Sequence, residues 1–406
     1  MDQADPVGIV LIAALAVAAP LIAAAVGRVA RVPLVVFEIL LGVLVGPSVL
    51  GWLGPSPFSG AIAEFGLALL FFMAGREIDF AAIAGRPIAR AGLGWAISLV
   101  AAIAVGYLIA PDLEAAVFIG VALTSTALGT IMPMLRDAGE LSTPFGRAVT
   151  AVGAVGEFGP LIAISLFLSG RSPGISAVVL IGFTAVALLG ILAASRGPRT
   201  GLHRIVTTTL HTSGQFAVRL VLLAIAALVV LSVVLGLDML LGAFAAGVIC
   251  RVLLSGVNKP DLELVDAKLE AVAFGFLVPV FFIYTGITFD LGALLADPAA
   301  LVLLPVFAVL LLLVRGLPSL LAAPAGSSRR DRAALGLFGA TGLPIIVAVT
   351  GIALDRQAIL PGTAAALVGA GMISVLLYPL IGLLIRRRSR GGAALPPDAD
   401  HVPVEA

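Results

Sequence analysis

The chain has 406 residues, of which 61% are hydrophobic and only 12% charged. Soluble chains run at about 45–50% apolar and about 25% charged residues, so a water-soluble globular fold is excluded. The net charge of +1 makes no electrostatic case for a nucleic-acid partner, and the single Cys250 excludes an intrachain disulfide framework.

Taken in chain order, the first apolar run is 7–26. It follows Asp2 and Asp5, where a secretory signal would carry basic residues, and precedes Arg28 and Arg31. That order predicts a retained first helix with its N-terminus outside. Further spans are predicted at 33–53, 60–80, 91–110, 114–135, 145–169, 174–194, 214–236, 238–255, 268–290, 299–323, 332–354 and 360–385, each near the roughly 20 residues that a bilayer requires. The expected fold is an all-α polytopic membrane protein with 13 transmembrane helices. His203, His211 and His401 fall in linker, loop or tail, so neither a metal site nor a cofactor is expected.

Basic residues support this count. Most Lys and Arg fall in alternate connections: Arg28 and Arg31, Arg76 to Arg90, Arg136 and Arg147, Arg196 to Arg204, Arg251 to Lys268, Arg329 to Arg332, and Arg386 to Arg390. Cytoplasmic loops hold such an excess, which places the C-terminus inside. The opposite connections carry Asp112, Glu114, Asp297 and Asp355.

Three short words recur seven spans apart. Glu38-Ile-Leu-Leu-Gly42 returns as Asp238-Met-Leu-Leu-Gly242. Phe71-Phe72 with Gly75 and Asp79 returns as Phe281-Phe282 with Gly286 and Asp290. Thr126-Ala-Leu128 returns as Thr341-Gly-Leu343. An odd offset makes the matched helices antiparallel, and inverted repeats are a recurring design of secondary transporters. The expected units are a first repeat at 1–170 (spans 1–6), a linker helix and basic loop at 171–213, a second repeat at 214–388 (spans 8–13) and a disordered cytoplasmic tail at 389–406.

The fifth span holds Thr124-Ser125-Thr126 followed by Gly129 and Pro133, and the twelfth holds Thr341-Gly342-Leu343-Pro344. Proline removes a backbone donor and crowds the preceding turn, so both helices are expected to break. Unwound backbone at membrane depth is tolerated only where protein or a wet cavity satisfies it, so Thr124, Ser125, Thr126, Thr341 and Gly342 are candidate ion ligands. Glu157 lies near the middle of the sixth span. A carboxylate there costs several kcal/mol unless it is paired, hydrated or protonated. One carboxylate that holds either a proton or a cation, but not both, is antiport in its simplest form.

Arg315, in the eleventh span, has two readings: it pairs with Glu157, or it snorkels to the cytoplasmic edge. Glu64 is a possible secondary site, although an end-anchor role suits it better; Glu38 and Arg219 read as end-anchors or structural pairs. Arg76, Glu77 and Asp79 read as a solvated helix end.

At this point the residues resemble a known family, the monovalent cation:proton antiporters, in the branch of bacterial potassium-efflux and sodium/proton exchangers. The resemblance rests on Glu38–Ser48, Ala63–Glu77, Leu123–Ala127, Gly139–Gly146, Leu241–Gly247 and Phe281–Asp290. It implies two crossed discontinuous helices, here spans 5 and 12, a moving core, and a homodimer in the bacterial inner membrane. It places the ion-binding carboxylate on Glu157 and the basic residue of the eleventh helix on Arg315. Two features depart from the family: its usual Asp-Asp, Asn-Asp or Gln-Asp pair reads Gly156-Glu157, and Arg315 stands where Lys is frequent.

The expected function is exchange of Na+ or K+ for H+, electroneutral because one deep carboxylate serves both ions. Two alternatives stand beside it, a proton-independent or channel-like transporter on the same fold and a non-transporting sensor or partner subunit.

Overall fold

The computed structural model describes residues 6–26, 32–78, 83–110, 112–167, 172–196, 216–254 and 259–390. Arg28, Arg31, Asp79, the linker from 197 to 215 and the tail from 391 onward lie outside the described residues. Every regular element of the described chain is a helix. In order it forms α1 (Pro6–Val26), α2 (Leu34–Val45), α3 (Pro57–Glu77), α4 (Arg86–Ile109), α5 (Leu113–Leu123), α6 (Leu128–Asp137), α7 (Pro144–Phe167), α8 (Pro173–Arg196), α9 (Phe216–Val234) and α10 (Met239–Leu254). Then come α11 (Lys259–Val272), α12 (Val278–Ile287), α13 (Leu291–Ala296), α14 (Pro298–Leu310), α15 (Arg329–Gly339), α16 (Pro344–Asp355) and α17 (Pro361–Arg390).

Among the described residues, nine helical stretches are long and apolar enough to cross a bilayer, and four shorter apolar helices fall at the second, seventh, eighth and ninth predicted spans. The surface is what lipid requires. Val7, Val10, Val17 and Leu21 of α1 are each at least 64% exposed, an apolar display that water would not tolerate.

Helix starts are set by local chemistry. Asp112 accepts the Ala115 N–H at 2.8 Å, Asp290 accepts that of Ala293 at 2.7 Å, and Asp297 accepts that of Ala299 at 2.9 Å. Each satisfies an amide that the first helical turn leaves unpaired. Asp290, which repeats Asp79 in the sequence, therefore serves as a cap here.

Two wide turns interrupt long helices. Ala273–Leu277 joins α11 to α12, and Leu311–Gly316 continues α14; both are π-helical. The amide of Val278 reaches back to the carbonyl of Ala273, and that of Leu317 to Leu312. In each case the next residue is a proline, Pro279 or Pro318, whose missing N–H and bulky ring disfavour a regular preceding turn.

Glycines allow the closest helix contacts. α2 packs on α12 and α3 on α10. A Cβ at Gly42 would fall on the carbonyl of Ile283, and one at Gly286 on that of Ile39. On the other pair, Gly75 faces the carbonyl of Phe244 and Gly247 that of Phe72. Such small-residue stripes let backbones approach where lipid gives no hydrophobic drive to helix association. α7 is surrounded by α4, α5, α6, α8, α10, α15 and α16, which buries most of its length.

Candidate functional site

Both predicted breaks are present. α5 ends at Leu123 and α6 begins at Leu128; α15 ends at Gly339 and α16 begins at Pro344. The interruptions meet in the interior. The Ala127 amide donates to the Thr341 carbonyl at 2.7 Å, and the Thr126 hydroxyl donates to the Gly339 carbonyl at 2.6 Å. Gly342 sits so close to Ser125 that a Cβ would meet its hydroxyl oxygen at 2.6 Å, which is why a side chain is missing there. The amide and carbonyl of Gly342 are held in turn by Ser374 Oγ, at 3.1 and 3.0 Å. Backbone groups that regular helix would have paired are thus paired across segments instead.

Thr124, Ser125, Thr126 and Thr341 are all buried. The hydroxyls of Thr124 and Ser125 donate back to Val121 and Ala122 carbonyls at 2.8 and 2.9 Å, and that of Thr341 to the Leu337 carbonyl at 3.0 Å. Each hydroxyl proton is therefore committed, leaving oxygen lone pairs available to a hard cation.

Glu157 is 2% exposed, and the break is tied directly to its helix: the Thr126 amide donates to the Gly156 carbonyl at 2.9 Å. The carboxylate faces the backbone amide of Gly129 in the first turn of α6. A helix start presents unpaired amides and partial positive charge, so a negative group is favoured there. Glu157 Oε2 nevertheless accepts no hydrogen bond from any described residue. A buried carboxylate oxygen with no protein donor marks a functional position more often than a packing one.

Arg315 is fully buried, in the wide turn that continues α14. Snorkelling is therefore ruled out. No ion pair within 4.0 Å joins it to Glu157 among the described residues, so direct pairing is not found either. Its Nε donates to Thr126 Oγ1 at 2.9 Å and its Nη2 to the Val152 carbonyl at 2.7 Å. It is a clamp that ties the α5–α6 break to α7. A Cβ at Gly156 would fall on both Arg315 Nη2 and Thr126 Oγ1. The glycine beside Glu157 thus has a steric cause: the guanidinium fills the space of a side chain at 156.

Glu64 is not brought to this site. It is exposed, beside a surface hollow that it shares with Pro55, Ser56, Pro57, Gly60, Ala61 and Tyr284. Arg219 is also exposed. Glu38, read as an anchor or half of a pair, is instead buried at 3% exposure in the wall of a cavity.

Two groups of residues were missed or misread. Arg76 is not at a solvated helix end; it is 5% exposed and ion-paired with Asp266. The Arg251 guanidinium donates to the Arg76 carbonyl at 2.9 Å, and a cavity of about 390 Å³ gathers Arg76, Glu77, Arg136, Arg251, Asp266 and Glu270. The second group is Glu140, Asp331 and Arg386. Arg386 bonds Glu140 at 3.0 Å and Asp331 at 2.9 Å, and lies 3.6 Å over the Phe145 ring. These ties explain the Gly139–Gly146 segment: Gly139 takes a positive φ of 66°, and Gly146 packs against the Glu140 carbonyl.

The chain matches the family model described as sodium/hydrogen exchanger, transmembrane, over residues 13–383. It is 30% identical over 277 residues to the Na(+)/H(+)-K(+) antiporter GerN of Bacillus cereus, covering 64% of this chain and 66% of that protein. It is 25% identical over 295 residues to the putative Na(+)/H(+) antiporter YjbQ of Bacillus subtilis, covering 67% of this chain but only 46% of that one. The matched region therefore spans about half to two thirds of these relatives' length. Among solved structures, the sodium proton antiporter MjNhaP1 of Methanocaldococcus jannaschii superposes with a TM-score of 0.67 at 16% identity, over 95% of this chain and 97% of that one. That likeness concerns the fold.

Proposed function

The chain belongs to the sodium/hydrogen exchanger family of monovalent cation:proton antiporters, multi-pass membrane transporters rather than enzymes, and from that premise we propose that it exchanges one Na+ or K+ for one H+ at Glu157. The observation that carries this is the position of Glu157: buried in α7, facing the Gly129 amide in the first turn of α6, next to two interrupted helices in which the Thr124 and Ser125 hydroxyls donate to backbone carbonyls and keep their lone pairs. One carboxylate can bind the proton or the cation, and the two forms carry the same net charge. Arg315 adds a constant charge, since arginine effectively never releases its proton. The exchange is therefore electroneutral.

Both cations fit oxygen donors of this type, and GerN carries both ions in its name. The four shorter apolar helices complete thirteen crossings with the N-terminus outside, in a bacterial inner membrane. The α5–α6 and α15–α16 helices are the crossed discontinuous pair. Exchanging α2 with α10 and α3 with α12 carries one glycine contact onto the other, which supports inverted repeats at 1–170 and 214–388. The protein works as a homodimer.

The test is proton flux in inside-out vesicles on addition of Na+, K+ or Li+, with the wild type and Glu157→Gln. We expect cation-driven proton release in the wild type, its loss in the variant, and no response to an imposed voltage. Cation movement that persists in Glu157→Gln without proton flux would instead indicate a proton-independent transporter.

A further inference from the structure

A cavity of about 740 Å³ lies among α2, α3, α6, α12 and α17. Its wall is apolar on most sides, with Leu70, Phe282 and Leu384 among the lining residues, and Glu38 is the one ionisable residue described in it. Glu38 is 3% exposed, and neither a hydrogen bond nor an ion pair reaches its carboxylate from the described residues. A structural carboxylate at this depth would be expected to hold a partner, because burying a lone acidic group costs several kcal/mol.

Gly129 and Thr130 also line this cavity. Gly129 is the residue whose amide faces Glu157, so one residue borders both the cavity and the ion site. Thr130 directs its hydroxyl proton to the Ala127 carbonyl at 2.9 Å and keeps its lone pairs. A carboxylate on α2 and free oxygen lone pairs on α6 therefore share one cavity that ends against the Glu157 site. Apolar walls strengthen the field of a single charge inside such a cleft and concentrate counter-ions there.

We propose that Glu38 is a second acidic ligand for the transported monovalent cation, which takes it up in the cavity before it reaches Glu157. This rests on the exchange activity proposed above. It gives α2 a part in ion capture in addition to its packing against α12.

The test is the cation dependence of exchange in Glu38→Gln, which keeps the volume and removes the charge, and in Glu38→Asp, which keeps the charge. For Glu38→Gln we expect the KM for the cation to rise at least fivefold, by a larger factor than the maximal rate falls, with Glu38→Asp much closer to wild type. An unchanged KM, or a loss confined to the rate, overturns the proposal. A second measurement covers the case in which Glu38→Gln is poorly folded. In a Cys250→Ala background, Met134→Cys, on the wall of the same cavity with Glu38 in place, should react with a cationic thiol reagent, and the transported alkali ion should slow that reaction. Failure to label, or labelling that the ion does not slow, overturns it as well. Absence of exchange in the wild type would refute the activity itself, whereas normal wild-type exchange with an indifferent Glu38→Gln sinks only the role of Glu38.

Discussion

Replacing Gly156 with alanine adds one methyl group at the most crowded point of the site. That carbon would land on Arg315 Nη2 and Thr126 Oγ1 and lie 2.6 Å from Thr126 Cβ. None of these neighbours can retreat easily, since Arg315 is fully buried and bonded to both Thr126 and the Val152 carbonyl. The substitution must break at least one charge-assisted hydrogen bond, at about 1.5–3 kcal/mol, and overpack a dense interior, at about 1–3 kcal/mol. The two contributions overlap, so about 2–4 kcal/mol is expected in total. The part that acts on the break geometry, near 1.5–3 kcal/mol, corresponds to a roughly 10- to 150-fold loss of cation-driven proton flux. The assay pairs flux in vesicles with thermal unfolding of purified protein. Gly351→Ala is the control, since a Cβ there meets nothing within 4 Å. Adding Arg315→Lys should recover part of the loss, because a narrower side chain vacates the space. A Gly156→Ala variant that matched wild type in both flux and unfolding would refute the clamp.

Two further outcomes follow from interactions outside the site. Arg386→Ala takes from Glu140, 5% exposed at its side chain, its charged donor at 3.0 Å while the Thr143 hydroxyl stays bonded to it, and loss of such a charge-assisted hydrogen bond costs about 1.5–3 kcal/mol, so a fall in unfolding temperature is expected. Replacing both Arg386 and Glu140 with glutamine should be milder than Arg386→Ala, and an equal or larger fall would show that the pair is not the cause. Asp290→Ala removes the cap on Ala293 and should lower stability by about 1 kcal/mol while leaving the cation KM unaltered, which a melt and a flux titration check together.

Glu157 and the two breaks could be read from the chain because the cost of polar groups in a membrane is local. A carboxylate amid apolar residues, or hydroxyls before Gly and Pro, needs no distant partner to stand out. The role of Arg315 was not readable in this way. Pairing and snorkelling both suit an arginine at this place in the sequence; burial excludes the second, and the contacts the fold gives Arg315 are Thr126 and the Val152 carbonyl. Arg76 failed for a related reason: beside Glu77 it imitates a hydrated end, whereas the Asp266 that buries it lies on α11. Glu140 and Arg386 are 246 residues apart, beyond any motif. Three short words suggested the proposed repeat, but not its register. The words Leu-Leu-Gly42 and Leu-Leu-Gly242 align by letter, yet in the helix contacts the counterpart of Gly42 is Gly247.

The wide turn at Leu311–Gly316 fixes where Arg315 points. A π turn carries one residue more than the winding around it, and one residue is about 100° of rotation in an α-helix. Rewinding Leu311–Gly316 as regular α-helix with every residue kept would swing the guanidinium by about that angle relative to the segment before it, whereas deleting one leucine at the same time would leave its direction nearly unchanged. The width of this turn, more than the choice of arginine, keeps the charge aimed inward, so the aim is lost through a change of winding with every side chain in the site intact.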